Sequence, residues 1–143
     1  MKKLLCFTSL LIASVSFADQ LHNYDQIKSA VTEGKLTRIV VDYSKCVITS
    51  EQKTIGNHNA IFTPNAMAIT NDGGISSYLL YFTMNDPHYP GRGIYQYGKY
   101  LISKDNSLLI TFSTLNAADF TALDGSVSLN CKIDDAAKIF SLG

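Results

Sequence analysis

The sequence predicts an α+β domain: an N-terminal helix packed on a mainly antiparallel sheet of about five or six strands, with one disulfide. Three observations carry this. One short segment near the start has apolar residues at helical spacing. The segments after it alternate apolar and polar residues and are joined by turns too short for parallel crossovers. Two cysteines remain once an N-terminal export signal is removed.

The helix opens at Asn23-Tyr24-Asp25-Gln26, where Asn23 is the expected cap and Gln26 reaches back in a capping-box arrangement. Ile27, Ala30 and Val31 share one stripe, and Gly34 supplies a left-handed stop. Residues 35–47 then read as a strand, with Thr37, Ile39, Val41 and Tyr43 on one face and Leu36, Arg38, Val40 and Asp42 on the other. Residues 50–60 are polar and read as a loop, and residues 65–70 as a short strand. Asn71-Asp72-Gly73-Gly74 is a hairpin turn, because its glycines reach positive φ without a Cβ clash.

A partner strand follows from Ile75 to Met84. Residues 85–91, NDPHYPG, are turn chemistry throughout. Strands are expected at 93–102, 107–115 and 125–133, with Asn116 to Phe120 as one helical turn. The tail, 134–143, brings Ala137, Phe140 and Leu142 to dock on the sheet.

The first 18 residues read as a signal peptide. Lys2 and Lys3 precede an uncharged apolar run from Leu4 to Phe17, which closes on Ser16-Phe17-Ala18. The run is shorter than the roughly 20 residues a spanning helix needs. Cleavage after Ala18 leaves a single domain, residues 19–143, expected in the periplasm or outside the cell, with no membrane insertion of the mature chain. That domain has ten basic and twelve acidic residues. Its lysines are scattered singly, so it lacks the clustered cation that nucleic acid requires.

Cys6 leaves with the signal, so Cys46 and Cys131 are expected to pair in an oxidising compartment. The bridge closes a loop of about 86 residues, which in the chain-entropy model stabilises by about 4–5 kcal/mol. Redox motifs bring their cysteines closer together in sequence, and zinc sites use more ligands.

Several segments carry a family resemblance: VTEGK (31–35), VVDYSKC (40–46), AIFTPNAMAITNDGGISS (60–77), YGKYLISKDNSLLI (97–110) and SLNCKIDDAAKIF (128–140). In this order, behind a signal peptide, they resemble the bacterial VirK proteins, small exported polypeptides named after a virulence-associated member. The resemblance spans nearly the whole mature chain. It implies location and fold, and it brings no agreed catalytic residues or enzymatic activity.

Sites for chemistry are sparse. His22, His58 and His88 lie 30 or more residues apart without ligand spacing, so no metal or cofactor is expected. There is no G-x-S-x-G elbow, and the GRG at 91–93 precedes a strand and lacks a P-loop lysine. Asp42, Asp86, Asp119 and Asp124 are the available carboxylates, and an ion pair with Arg38 accounts for Asp42.

The aromatic strand remains. Alternation puts Tyr95, Tyr97, Lys99 and Leu101 on one face and Ile94, Gln96, Gly98, Tyr100 and Ile102 on the other. One reading is packing on one side and a wet sheet margin on the other. The other is a binding surface of Tyr95, Tyr97 and Lys99, with His88 and Arg92 in the preceding loop, for a glycan, peptide or protein. The expectation is a non-enzymatic binding or accessory protein. Its alternative is a small envelope hydrolase using His58 or His88 with a nearby carboxylate.

Overall fold

The computed structural model describes residues 18–49 and 59–142. The expected signal segment up to Phe17, Cys6 and His58 lie outside the described residues.

The helix, α1, spans Tyr24–Thr32. The Asn23 carboxamide accepts the Gln26 N–H at 3.0 Å. The Gln26 side chain reaches back to the His22 N–H at 2.7 Å, one residue beyond the expected box. Gly34 ends the helix at φ +74°, and the amides of Gly34 and Lys35 close onto the carbonyls of Val31 and Ala30. Ile27 and Ala30 are buried. Two contacts fix the helix start over the turns of neighbouring hairpins. The Tyr24 N–H donates to the Asn106 side chain at 2.7 Å, and the Tyr24 hydroxyl donates to the Gly73 carbonyl.

Ten strands are described: β1 (Asp19–Leu21), β2 (Leu36–Asp42), β3 (Val47–Ile48), β4 (Asn59–Phe62), β5 (Met67–Ile69), β6 (Ile75–Thr83), β7 (Ile94–Ile102), β8 (Ser107–Asn116), β9 (Val127–Lys132) and β10 (Ala137–Leu142). They form two sheets, with orders β1-β10-β2-β4 and β3-β9-β8-β7-β6-β5. Every pairing between them is antiparallel. The sheets share one core. Ile39, Val41, Ala137 and Ile139 of the smaller sheet join Ile75, Ile102, Leu108, Ile110 and Leu129 of the larger in one cluster with Tyr24 and Ile27 of the helix. Each fully buried Ile or Leu contributes about 1.5–3 kcal/mol over exposure.

The α+β expectation, one helix on one sheet of five or six strands, is therefore corrected. The chain is mainly β: two sheets, of four and six strands, and one nine-residue helix among the described residues. Two local features account for the difference. Residues 35–47 are not one strand. Asp42 accepts the Ser44 N–H at 3.1 Å and starts a 3-10 turn, Tyr43–Lys45, after which the chain enters the other sheet as β3. The tail does more than dock: it is strand β10, between β1 and β2, and buries Ala137, Ile139 and Ser141, while the expected Phe140 and Leu142 are half-buried on its other face.

Cys46 follows that turn, and its sulfur is bonded to Cys131 of β9. The bridge thus ties the crossover between sheets to β9, the strand beside β3 in the larger sheet. Asp42 makes no ion pair with Arg38 among the described residues; its carboxylate serves Ser44 instead.

Candidate aromatic binding surface

Strand β7 alternates as its sequence implies. Ile94, Gly98, Tyr100 and Ile102 are buried, Tyr95 and Tyr97 are half-buried, and Lys99 is exposed. Gly98 is needed for this packing, since a Cβ there would lie 2.8 Å from the Tyr100 hydroxyl. The Tyr100 ring also packs on Phe62 at 4.3 Å between centroids, linking the two sheets. Burial pushes its phenol pKa up.

The other face carries the surface. Register sets Tyr95 opposite Phe82 of β6 and Lys99 opposite Tyr78. Tyr78 stacks on Tyr97 with centroids 5.9 Å apart and planes 18° from parallel. Phe82 meets Tyr95 edge-on at 5.5 Å. Phe120 lies flat on Tyr95 at 5.2 Å, the planes within 8°. These are favoured aromatic geometries. Five rings and Lys99 thus form one platform on the outer face of the larger sheet.

Phe120 is the member that the sequence does not disclose. Asn116 to Phe120 closes as a single turn, and Phe120 sits at φ +59°, unusual for a bulky residue. Its N–H donates to the Asn116 carbonyl at 2.9 Å, and the Asn116 N–H donates to the Thr121 carbonyl at 2.8 Å. Asp119 accepts the Thr121 N–H at 3.1 Å. This cinched turn holds the Phe120 ring over Tyr95 while leaving it 57% exposed. A lone Phe after Asn-Ala-Ala-Asp carries no periodicity, so only the fold reveals the stack.

The loop before β7 is fixed apart from the platform. Asp86 accepts the His88 N–H at 2.9 Å and the Gln96 amide at 3.0 Å. These bonds, the His88 N–H foremost, hold its carboxyl below the ordinary range. The His88 ring stands 3.5 Å from Asp86 with its side chain 85% exposed. The Arg92 charge helps depress the Asp119 carboxyl, a smaller effect than the Thr121 hydroxyl beside it. Tyr89 donates to Asp124 at 3.2 Å, tying the loop to the segment that leads into β9. So Tyr95, Tyr97 and Lys99 share one face of β7, whereas the His88 ring lies against Asp86.

A cleft of about 400 Å³ opens on the inner side. Strands β6 to β8 run nine or ten residues, against seven or fewer in the smaller sheet, so part of their inner face has no opposing strand among the described residues. Tyr43, Gln96, Phe112, Thr114, Asp124 and Val127 line it. Burial pushes the Tyr43 phenol up to about 12, so it stays neutral at physiological pH. Among the described residues that line it there is no histidine or cysteine. Among the described residues no three His, Cys, Asp or Glu side chains gather as metal ligands, and no helix is long and apolar enough to cross a membrane.

The two-sheet architecture recurs in a solved structure. The crystal structure of a VirK family protein from Legionella pneumophila superposes with a TM-score of 0.75 at 28% sequence identity, covering 85% of this chain and 98% of that one. The VirK protein family profile matches residues 20–120, and the chain belongs to that family. No curated protein matches it.

Proposed function

We propose that this VirK-family chain is exported and acts by binding rather than catalysis, with the aromatic platform as its contact surface. The observation that carries this is the flat stack of exposed Phe120 on Tyr95, held by a turn in strained backbone geometry. Strain of this kind clusters at functional sites. The ligand chemistry that fits is a neutral glycan. Ring faces at Phe120 and Tyr97 stack on sugar faces, phenol hydroxyls and Lys99 bond sugar hydroxyls, and the platform carries a single charge. The family's association with virulence adds no chemistry to this reading.

Export is supported by two features. Lys2 and Lys3 precede an uncharged apolar run that closes on Ser16-Phe17-Ala18, the composition of an export signal. The Cys46–Cys131 bridge belongs to an oxidising compartment. A native N-terminus at Asp19 is the expected result of sequencing the purified protein, and one at Met1 overturns export with cleavage. The hydrolase alternative gains nothing from His88, whose ring is solvated and whose nearest carboxylate, Asp86, already serves the loop backbone.

Titration with neutral oligosaccharides of several linkages tests the binding reading. The chain has no tryptophan and eight tyrosines, of which Tyr78, Tyr95 and Tyr97 lie in the platform, so part of the tyrosine emission reports on it. Saturable binding that weakens about tenfold in Phe120→Ala and Tyr97→Ala is expected, each ring being worth about 1–2 kcal/mol. No saturable change with any linkage, or binding indifferent to both substitutions, refutes it.

A further inference from the structure

The inner cleft is a second candidate site, on the opposite face of the larger sheet from the Phe120–Tyr95 stack. The geometry points to a small organic cation as its ligand: an ammonium group carried on an apolar or aromatic body.

The argument starts from the walls. Tyr43 meets Phe112 of β8 edge-on, with ring centroids 5.8 Å apart. Val127 of β9 stands opposite Phe112 in the sheet register. These three residues give the cleft an apolar side. Its volume of about 400 Å³ falls within the range of about 300–1,000 Å³ usual for small-molecule sites, which combine apolar walls with a few polar groups.

The polar groups select the charge of the ligand. Asp124 is exposed, and it is the one charged residue among the described residues that line the cleft. The Tyr89 hydroxyl donates to its Oδ2 at 3.2 Å, which orients the carboxylate and leaves Oδ1 for another donor. Among the described residues no lysine, arginine or histidine lies within ion-pair distance of Asp124. Gln96 is oriented from its far side, for its amide nitrogen donates to Asp86 at 3.0 Å. An ionised carboxylate only accepts, so the nitrogen must face Asp86, and the Gln96 carbonyl oxygen remains as an acceptor.

A carboxylate without a cation and an amide oxygen together call for a donor that carries positive charge. An anionic ligand would meet Asp124 with no basic lining residue to offset the repulsion. A neutral one would leave that charge unpaired. Aromatic walls favour a cation too, and the Tyr43–Phe112–Val127 side supplies the surface on which its apolar body is buried. The Thr114 hydroxyl, also in the lining, accepts or donates and so suits either end of such a molecule.

Three probes of one shape and different charge test this: benzylamine, protonated at pH 7, benzyl alcohol and benzoate. Methyl NMR of the disulfide-intact protein reads the site through Val127 and Thr114 in the cleft. Ile61, exposed on the other sheet, is the control. Benzylamine is expected to shift the two cleft methyls saturably and leave Ile61 unmoved. It should bind about three- to fivefold more tightly than benzyl alcohol, the range set by an exposed ion pair, with benzoate weakest. That preference should shrink as salt is added. Asp124→Asn keeps the shape and removes the charge, so it is expected to lower benzylamine to the affinity of benzyl alcohol. Circular dichroism checks the fold of the variant, and if it is lost the three probes on the unmodified protein decide. No saturable shift at Val127 and Thr114 up to about 10 mM benzylamine overturns the proposal. So does benzyl alcohol or benzoate binding as tightly as benzylamine, or a folded Asp124→Asn variant that binds benzylamine undiminished.

Discussion

The Phe120 ring lies on that of Tyr95 with planes within 8° of parallel, although Phe120 adopts a left-handed backbone at φ +59°. A bulky residue in that conformation costs about 1–2 kcal/mol. The stack returns about 0.5–1.5 kcal/mol. The two nearly offset each other, so stability alone gives little reason for a Phe here, and an exposed ring facing solvent gives one.

That balance can be separated by substitution. Phe120→Ala keeps the unfavourable φ and loses the stack, whereas Phe120→Gly loses the stack and relieves the backbone. The Gly variant is expected to be the more stable of the two by about 1 kcal/mol, read from urea midpoints. An Ala variant as stable as the Gly variant contradicts strain at this position.

The disulfide makes a second prediction. Cys46 and Cys131 are 85 residues apart in sequence, and the bridge spans the point where the chain passes between sheets. Reduction is expected to lower stability by up to about 4–5 kcal/mol. Urea unfolding with and without reductant measures this, and identical midpoints would exclude a stabilising role.

The acid limb of stability follows from a repeated turn device. Asp42, Asp72, Asp86, Asp105 and Asp119 each accept the backbone N–H two residues on. All five carboxyls are held below their ordinary value of 3.8. A neighbouring hydroxyl is the first cause in four, and the His88 N–H is the first cause at Asp86. Because the folded values are depressed, their contribution is complete above the unfolded value and is lost as pH falls through the folded ones. Thermal midpoints are therefore expected to hold down to about pH 5 and to drop below about pH 4. Asp86→Asn keeps an acceptor but no longer titrates, so its acid decline should be shallower. Midpoints that rise on acidification would reverse the sign.

Much was legible in the sequence because it is local. The Asn23 cap, the Gly34 stop, the Gly73 turn and the period-two burial of Thr37, Ile39 and Val41 depend on residues within one or two turns of each other. The pairing of Cys46 with Cys131 was also readable, since setting aside the expected signal segment leaves two cysteines. The family was readable from segments distributed along the chain.

Only the tertiary structure decided how many sheets there are. Whether the chain continues past Asp42 or turns into another sheet depends on one side chain capping Ser44, and a tail of six residues becomes a strand only when β1 and β2 flank it. The same holds for the surface. Tyr95, Tyr97 and Lys99 share a face by alternation, but their ring neighbours come from β6 and from a turn 25 residues after Tyr95, where Phe120 stands. Side-chain alternation is set by covalent geometry and is written in the sequence. Which strands lie side by side is set by burial of one common core, which no single segment contains.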